Sequence, residues 1–418
     1  MAEVVILGGG VIGLCTAYYA ALDGHRVTVV DRNPEQRDGC SFGNAGMIVP
    51  SHFVPLAAPG MVAMGLKWMW NPESPFYIKP RLNADLIAWG YQFWRSATAG
   101  HVERAGPVIR DLSFASRRAY EELAALPDMD FGLVRKGLLM LCKTQHALDD
   151  EARGATRARA LGIPADILDA AQTAALDPDV TMDIVGSVYY PRDCHLSPDR
   201  LMAGLLRKLK GLGVRWHWST EVEGWRTESG KVRSVRCSGG VGELTGDEFV
   251  LAGGSWSTGI ANGLELHLPM QAGKGYSLTL KKPRQLPRLC SIFTEARMAI
   301  TPMGETLRFG GTMEIAGLNE DINPVRVRGI IKSVPKYFPE FQVSDFEGIQ
   351  PWRGLRPCSP DGMPFLGRPA RFHNLVVATG HAMMGLSLGP VTGQLVTELL
   401  AHKTPSIPLT LMNPDRFA

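Results

Sequence analysis

Apolar positions recur along this chain in three rhythms, and each predicts a different element. Short, mainly apolar or β-branched runs stand at 4–7, 26–30, 249–252 and 374–378, the pattern of strands buried on both faces. Recurrence at helical spacing predicts helices at 14–22, 108–126 (Leu112, Ala115, Ala119, Leu123), 145–161, 323–337 and 389–400. A further helix over 197–212 has Ser197 at its N-cap, Pro198 at its first position and Gly213 just past its end. Alternation over 232–250 predicts a small antiparallel ribbon, and 138–142, 186–190, 214–222, 276–280, 298–301 and 307–310 read as further strands. Strand–helix–strand order thus appears at both ends and near the middle, with antiparallel-looking insertions between. The predicted class is α/β: a discontinuous Rossmann-like domain from 1–50, 195–262 and 345–418, and a β-rich (α+β) domain from 51–194 and 263–344.

Chemistry enters between the first two strands. Gly8-x-Gly10-x-x-Gly13 precedes the first helix, and Asp31 ends the second strand eighteen residues beyond Gly13. Such glycines let the backbone approach a pyrophosphate lying on the positive end of the helix, while the carboxylate accepts from ribose hydroxyls. This unit predicts a dinucleotide without separating NAD from FAD. A second junction follows the strand at 374–378, where Thr379-Gly380-His381 leads into a helix with Pro390 in its early turn. NAD has no use for a second such helix end, whereas a flavin ring gains negative charge on reduction and is stabilised by one. The pair of junctions favours FAD, held non-covalently.

Composition narrows the field. With 418 residues, 45% of them hydrophobic, the chain has core for about two domains. Its 44 basic and 41 acidic residues are dispersed, and no basic block suggests nucleic acid. The seven cysteines show neither CxxC nor zinc spacing, so reduced thiols and no metal site are expected. The first strand starts at Val4, leaving no room for a secretory leader, and no apolar run reaches the length of about 18 residues that spans a bilayer. A cytoplasmic protein is expected. One segment stands apart: residues 53–70 are nearly all apolar but broken by Pro55, Pro59, Gly60, Gly65 and Lys67, with Pro72 and Pro75 beyond. It reads as a lid or core wall, or else as a peripheral surface touching lipid or quinone on the inner face of the cytoplasmic membrane.

The run Trp352-Arg353-Gly354-Leu355-Arg356-Pro357-x-Ser359-Pro360-Asp361-Gly362-x-Pro364, with Gly380-His381 and the C-terminal glycine loop, resembles the D-amino-acid dehydrogenase group of the glycine/D-amino-acid oxidase superfamily. Ser41-Phe42-Gly43-Asn44-Ala45-Gly46, Ala57-Ala58-Pro59-Gly60, Lys67-Trp68-Met69, Asp193-Cys194 and Gly275-Tyr276-Ser277-Leu278 match its pattern in order, over nearly the whole chain. The resemblance implies a D-amino-acid-oxidase-type fold, with a discontinuous FAD domain and a β-rich substrate domain. It further implies oxidation of a D-amino acid or a D-hydroxyproline-like cyclic imino acid by hydride transfer from Cα to flavin N5, with electrons passed to a quinone or carrier. An O2-using oxidase, or the flavin-bearing β subunit of a sarcosine-, proline- or opine-oxidising complex, is the near alternative. A non-catalytic FAD-binding sensor or assembly factor is the distant one. The chain departs from the group at Gly39-Cys40, where an acidic residue and a threonine often stand before Ser-Phe.

Arg356 is expected to hold a substrate carboxylate, since a guanidinium fork fixes it with two charge-assisted hydrogen bonds. The resemblance places Tyr276 over the flavin face, and His381 and His52 are expected to line the active cavity. FAD contacts are expected from Gly8, Gly10, Val11, Ile12 and Gly13 in the first turn, and from Asp31 and Arg32 after the second strand. The following loop offers Ser41, Asn44, Ala45, Gly46 and Met47; the middle of the chain Val222, Gly253, Gly254 and Trp256. Gly354, Gly380, Met384, Gly385, Leu386 and Ser387 complete the set. No Ser/His/Asp constellation stands out, and no pattern specifies an oligomer.

Overall fold

The four mainly apolar runs lie side by side. In the computed structural model, which describes residues 1–69 and 73–418, Glu3–Leu7 pairs in parallel with Arg26–Val30 and with Glu248–Leu251, and Leu375–Thr379 continues the sheet. Arg215–His217 joins one edge and Phe365–Gly367, antiparallel, closes the other, giving six strands. Both faces are covered, which is why the runs lack polar alternation. Val4, Ile6, Val27, Val29 and Val250 pack under helices Val11–Leu22, Pro198–Gly211 and Gly389–Leu400, with Ala99–Ala124 outside them. Val5, Leu7, Phe249 and Leu251 face the ribbon of Val222–Glu228, Lys231–Cys237 and Gly242–Thr245.

The second sheet is mixed and larger. Its order runs Trp352–Cys358, Gln271–Leu280, Thr306–Ile315, Met298–Met303, Cys290–Phe293, Leu138–Cys142, Gly186–Tyr190 and Asp166–Asp169, with Phe76–Ile78 beside Thr306–Ile315. Helix Pro324–Tyr337 covers one face, over Tyr276, Leu278, Ile300 and Phe309. The opposite face turns towards the parallel sheet: Ser277 Oγ donates to Gly43 O at 3.0 Å, and Gly310 faces the Ala45 side chain. Met47–Ile48 and Cys194–His195 form a two-stranded link.

Several expected elements differ in extent. The strand expected over 214–222 breaks at Ser219, whose φ is +52°; its first part joins the parallel sheet and its end starts the ribbon. Likewise, the alternation over 232–250 ends early, and Glu248–Leu251 belongs to the parallel sheet. The third segment assigned to the Rossmann-like part, starting at 345, opens with Trp352–Cys358, which is hydrogen-bonded into the other sheet. Ser197 occupies the N-cap position as expected, but its side chain makes no capping bond. Helices Met61–Trp68 and Ala84–Ser96 carry apolar residues on several sides, so the sequence shows no single stripe there. Trp70 and Pro72 lie outside the described residues. No helix among the described residues is long and apolar enough to cross a membrane.

Candidate active site

Loops at the C-terminal ends of the parallel strands enclose a cavity of about 390 Å3. Gly8 sits at φ +121°, where a β-carbon would lie 2.3 Å from Ala252 O; one on Gly13 would lie 1.8 Å from Gly8 O. Only glycine closes this turn. Gly10 and Gly254 differ: the first has just Ser41 Oγ, at 3.5 Å, where its β-carbon would be, and the second has nothing within 4 Å. Both line the cavity and leave room for a ligand's close approach.

The donors and acceptors suit a dinucleotide. Helix Val11–Leu22 has no side-chain cap, so its first-turn amides are left for an anion, apart from Val11 N, which donates to Ser41 Oγ at 2.9 Å. Asp31 is fixed by Gly9 N on Oδ2 (2.7 Å) and Asn33 N on Oδ1 (2.8 Å), keeping lone pairs for hydroxyl donors. Arg32 lies over the Trp256 ring at 4.1 Å. Val222, Gly253, Ile12, Asn44, Gly385 and Leu386 line the same cavity. Helix Gly389–Leu400 also lacks a side-chain cap and has Pro390 in its first turn.

Other expected contacts support the walls from behind. Gly46, at φ +75°, passes close to Leu196 O; Met47 pairs with His195; Gly354 pairs with Gly275. Ala45 packs on Gly310, Gly380 turns at φ +78° beside Phe365, and Met384 joins the cluster containing Met47. Ser387 Oγ accepts from Val49 N at 3.1 Å. Two arginines had no motif to reveal them. Arg37 donates to Gly9 O and lies over Trp218 at 4.4 Å. Arg308 reaches Asn44 O (2.8 Å) and Phe42 O (3.3 Å), tying the 41–46 loop to the second sheet. Burial pushes the pKa of both arginines down.

Arg356 lines the cavity where the two sheets meet. Its Nη1 donates to Thr312 O at 2.8 Å, and its other donors have no hydrogen-bond partner among the described residues. The guanidinium lies flat on Gly275, so a β-carbon there would come within 2.2 Å of Nη2. Thr312 holds φ at +65° in a bulge of its strand, and its buried Oγ1 has no hydrogen-bond partner among the described residues. A half-buried guanidinium with unused donors at the cavity wall can receive an anionic or polar ligand. The Cys40 thiol lines the same cavity, its pKa raised by burial and opposed by Arg356.

Tyr276 does not reach this cavity. Side chains alternate along Gln271–Leu280, and the face that carries Gly273, Gly275 and Ser277 towards the cavity sends Tyr276 into the opposite core. There its hydroxyl donates to Glu314 Oε2 at 2.6 Å and accepts from Asn323 N at 3.2 Å, while burial raises its pKa. The flavin-face position expected of it is therefore corrected by one step of strand register.

The two histidines are held as neutral rings. Thr392 Oγ1 donates to Leu388 O and so accepts from His381 Nε2 at 3.1 Å; burial lowers the His381 pKa to about 3. His381 lines the cavity and braces the start of the last helix. His52 is absent from the cavity lining. Its Nδ1 is 3.0 Å from Ser51 Oγ, which donates to the buried Asp193 carboxylate; Ser51 N also donates there, at 3.1 Å. Burial raises Asp193 to about 7 and, with Arg297, lowers His52 to about 4. This Asp–Ser–His chain was invisible in sequence because Ser51 and Asp193 are 142 residues apart.

A family model described as FAD dependent oxidoreductase (DAO) matches residues 3–399. The chain belongs to that family. Its cofactor is FAD, and the uncapped helix end, the open glycines and Asp31 are the residues that fit it. The chain is 31% identical to a D-amino acid dehydrogenase of Bradyrhizobium diazoefficiens, over 100% of this chain and 99% of the relative. It is 34% identical to one of Methylobacterium nodulans, over 97% and 96%. Among solved structures, the flavoenzyme is similar to glycine oxidase from Geobacillus kaustophilus (TM-score 0.78, 24% identity, covering 100% of this chain and 99% of that one). L-proline dehydrogenase from P. horikoshii superposes with a TM-score of 0.75 at 17% identity, covering 100% and 97%. These two likenesses speak for the fold.

Proposed function

We propose that this flavoenzyme oxidises a D-amino acid, or a D-hydroxyproline-like cyclic imino acid, at the Cα–N bond and passes the electrons to a quinone or carrier. The observation that carries the reading is Arg356: a guanidinium with unused donors, braced on Gly275, at the border of the nucleotide cavity. The names of the two full-length relatives point to the same substrate class. Residues 1–50, 195–262 and 345–418 form the cofactor half and 51–194 and 263–344 the substrate half, with Trp352–Cys358 carrying Arg356 across the border.

When bound, FAD supplies the two-electron oxidant. The chain supplies orientation: Arg356 grips the carboxylate, which fixes where Cα and its hydrogen lie. The Cα–H bond breaks with its electron pair leaving as hydride, the amine lone pair closes C=N, and water hydrolyses the imine to a keto product and free amine. That lone pair must be free, so turnover rises with pH through ionisation of the substrate amine. His52 and His381 are neutral above the acid range and add no ionisation near neutrality. Residues 53–69 form the mouth through which a quinone approaches. An anaerobic screen of D- and L-amino acids against the holoprotein tests the reading: D-acids bleach the flavin band, and a band unmoved by every amino and imino acid would refute it.

A further inference from the structure

We propose that the loop 316–323, between Thr306–Ile315 and helix Pro324–Tyr337, is a strap that fastens one wall of the FAD cavity and slows the cofactor's release. It rests on the family's cofactor alone and stands whatever the substrate. Four charges of alternating sign form a row: Arg32, Glu320, Arg353 and Asp38. Arg32 Nη2 lies 3.7 Å from Glu320 Oε2, Arg353 Nη2 lies 3.5 Å from Glu320 Oε1, and Arg353 Nη1 lies 2.5 Å from Asp38 Oδ2. Both ends of the row belong to the cavity wall. Arg32 lines it and covers Trp256, another lining residue, while Asp38 stands between the lining residues Arg37 and Gly39. The two middle charges are carried by the second sheet and its loop.

The wall segment 32–46 is held in two ways. Its far part is pinned at carbonyl oxygens: Arg308 donates to Phe42 O and Asn44 O, and Ser277 Oγ to Gly43 O. Its near part depends on the charged row and on Trp352 Nε1, which donates to Asp38 O at 2.7 Å. Exposed ion pairs are individually weak and are screened by salt, which suits a fastening that opens to admit a non-covalent cofactor. A buried cation fixes the base of the strap. Lys274 is 2% exposed, and the chemistry above has no use for it. Its ammonium donates to Asn319 Oδ1 at 2.8 Å and to Asp321 O at 2.7 Å, on either side of Glu320. Two residues along the same strand, Tyr276 OH accepts from Asn323 N at 3.2 Å. Glu320 is thus presented to Arg32 and Arg353 from a fixed base.

The test follows FAD release from holoprotein by the rise in flavin fluorescence after dilution. Thermal denaturation of the apoprotein is read in parallel. Glu320→Gln is expected to speed release about fivefold, and Arg353→Gln, which also frees Asp38, about tenfold. The double variant falls short of the product of the two, because they share one link. Release from wild type quickens with salt, and release from Arg353→Gln responds less steeply. Apoprotein Tm stays that of wild type in both single variants. Release unchanged in both variants, or as steep in salt for Arg353→Gln as for wild type, overturns the proposal. So does faster release that comes only with a lowered apoprotein Tm, which would make the row a general stabiliser of the fold.

Discussion

The two sheets present their chemistry in different ways. In the parallel sheet the functional groups sit at strand ends, where Gly8, Asp31, Gly253 and Gly380 follow directly on an apolar run. In the mixed sheet they sit within strands, where the two-residue period decides what faces the site. Gly275 faces it and Tyr276 does not. A loop at a strand end tolerates an error of one residue in reading; a position inside a strand reverses its meaning.

The largest effect should come from the parallel side. Gly13→Val drives a side chain into Gly8 O, and the protein is expected to purify colourless or insoluble, judged by flavin absorbance per chain. Next comes the mixed sheet's site face. Arg356→Leu keeps its flavin but raises KM for carboxylate substrates about a hundredfold, since a half-buried charge-assisted fork is worth about 2–3 kcal/mol. Gly275→Ala displaces the same guanidinium without removing it, and about a tenfold rise in KM is expected from steady-state kinetics.

The link between the sheets has a pH signature. Asp193 is held at about 7 against an ordinary 3.8, so its contribution to stability is full below the ordinary value and is lost as pH rises through about 7. Asp193→Asn should flatten the fall in Tm across that window, measured by thermal denaturation. Smallest of all is the far face. Tyr276→Phe leaves Glu314 and Asn323 N without their partner and costs about 1–3 kcal/mol of stability, while KM and kcat stay within about twofold. A large loss of turnover with intact stability would return Tyr276 to the site.

What the sequence made legible follows the same division. The first βαβ unit and the 389–400 helix are local patterns, and each lies where it was expected; Arg356, the basic fork expected to take a carboxylate, lines the cavity. Arg37 and Arg308 were not legible, because their partners are carbonyl oxygens, which every residue carries. The Asp193–Ser51–His52 chain needs two distant segments to meet, and Thr312 becomes an orphan only through a bulge at positive φ. Helix Ala84–Ser96 hid for a different reason: Trp89 and Phe93 face the protein while Ile87, Tyr91 and Trp94 face outward, which erases the polar stripe that marks a surface helix.

The central claim is that Arg356 selects substrates by their carboxylate at the mouth of the flavin cavity. Anaerobic mixing of the yellow holoprotein with a D-amino acid and, separately, with its carboxamide tests this most directly. The account predicts rapid bleaching by the acid and bleaching at least about a hundredfold slower by the amide at equal concentration. Equal rates for the two would contradict it.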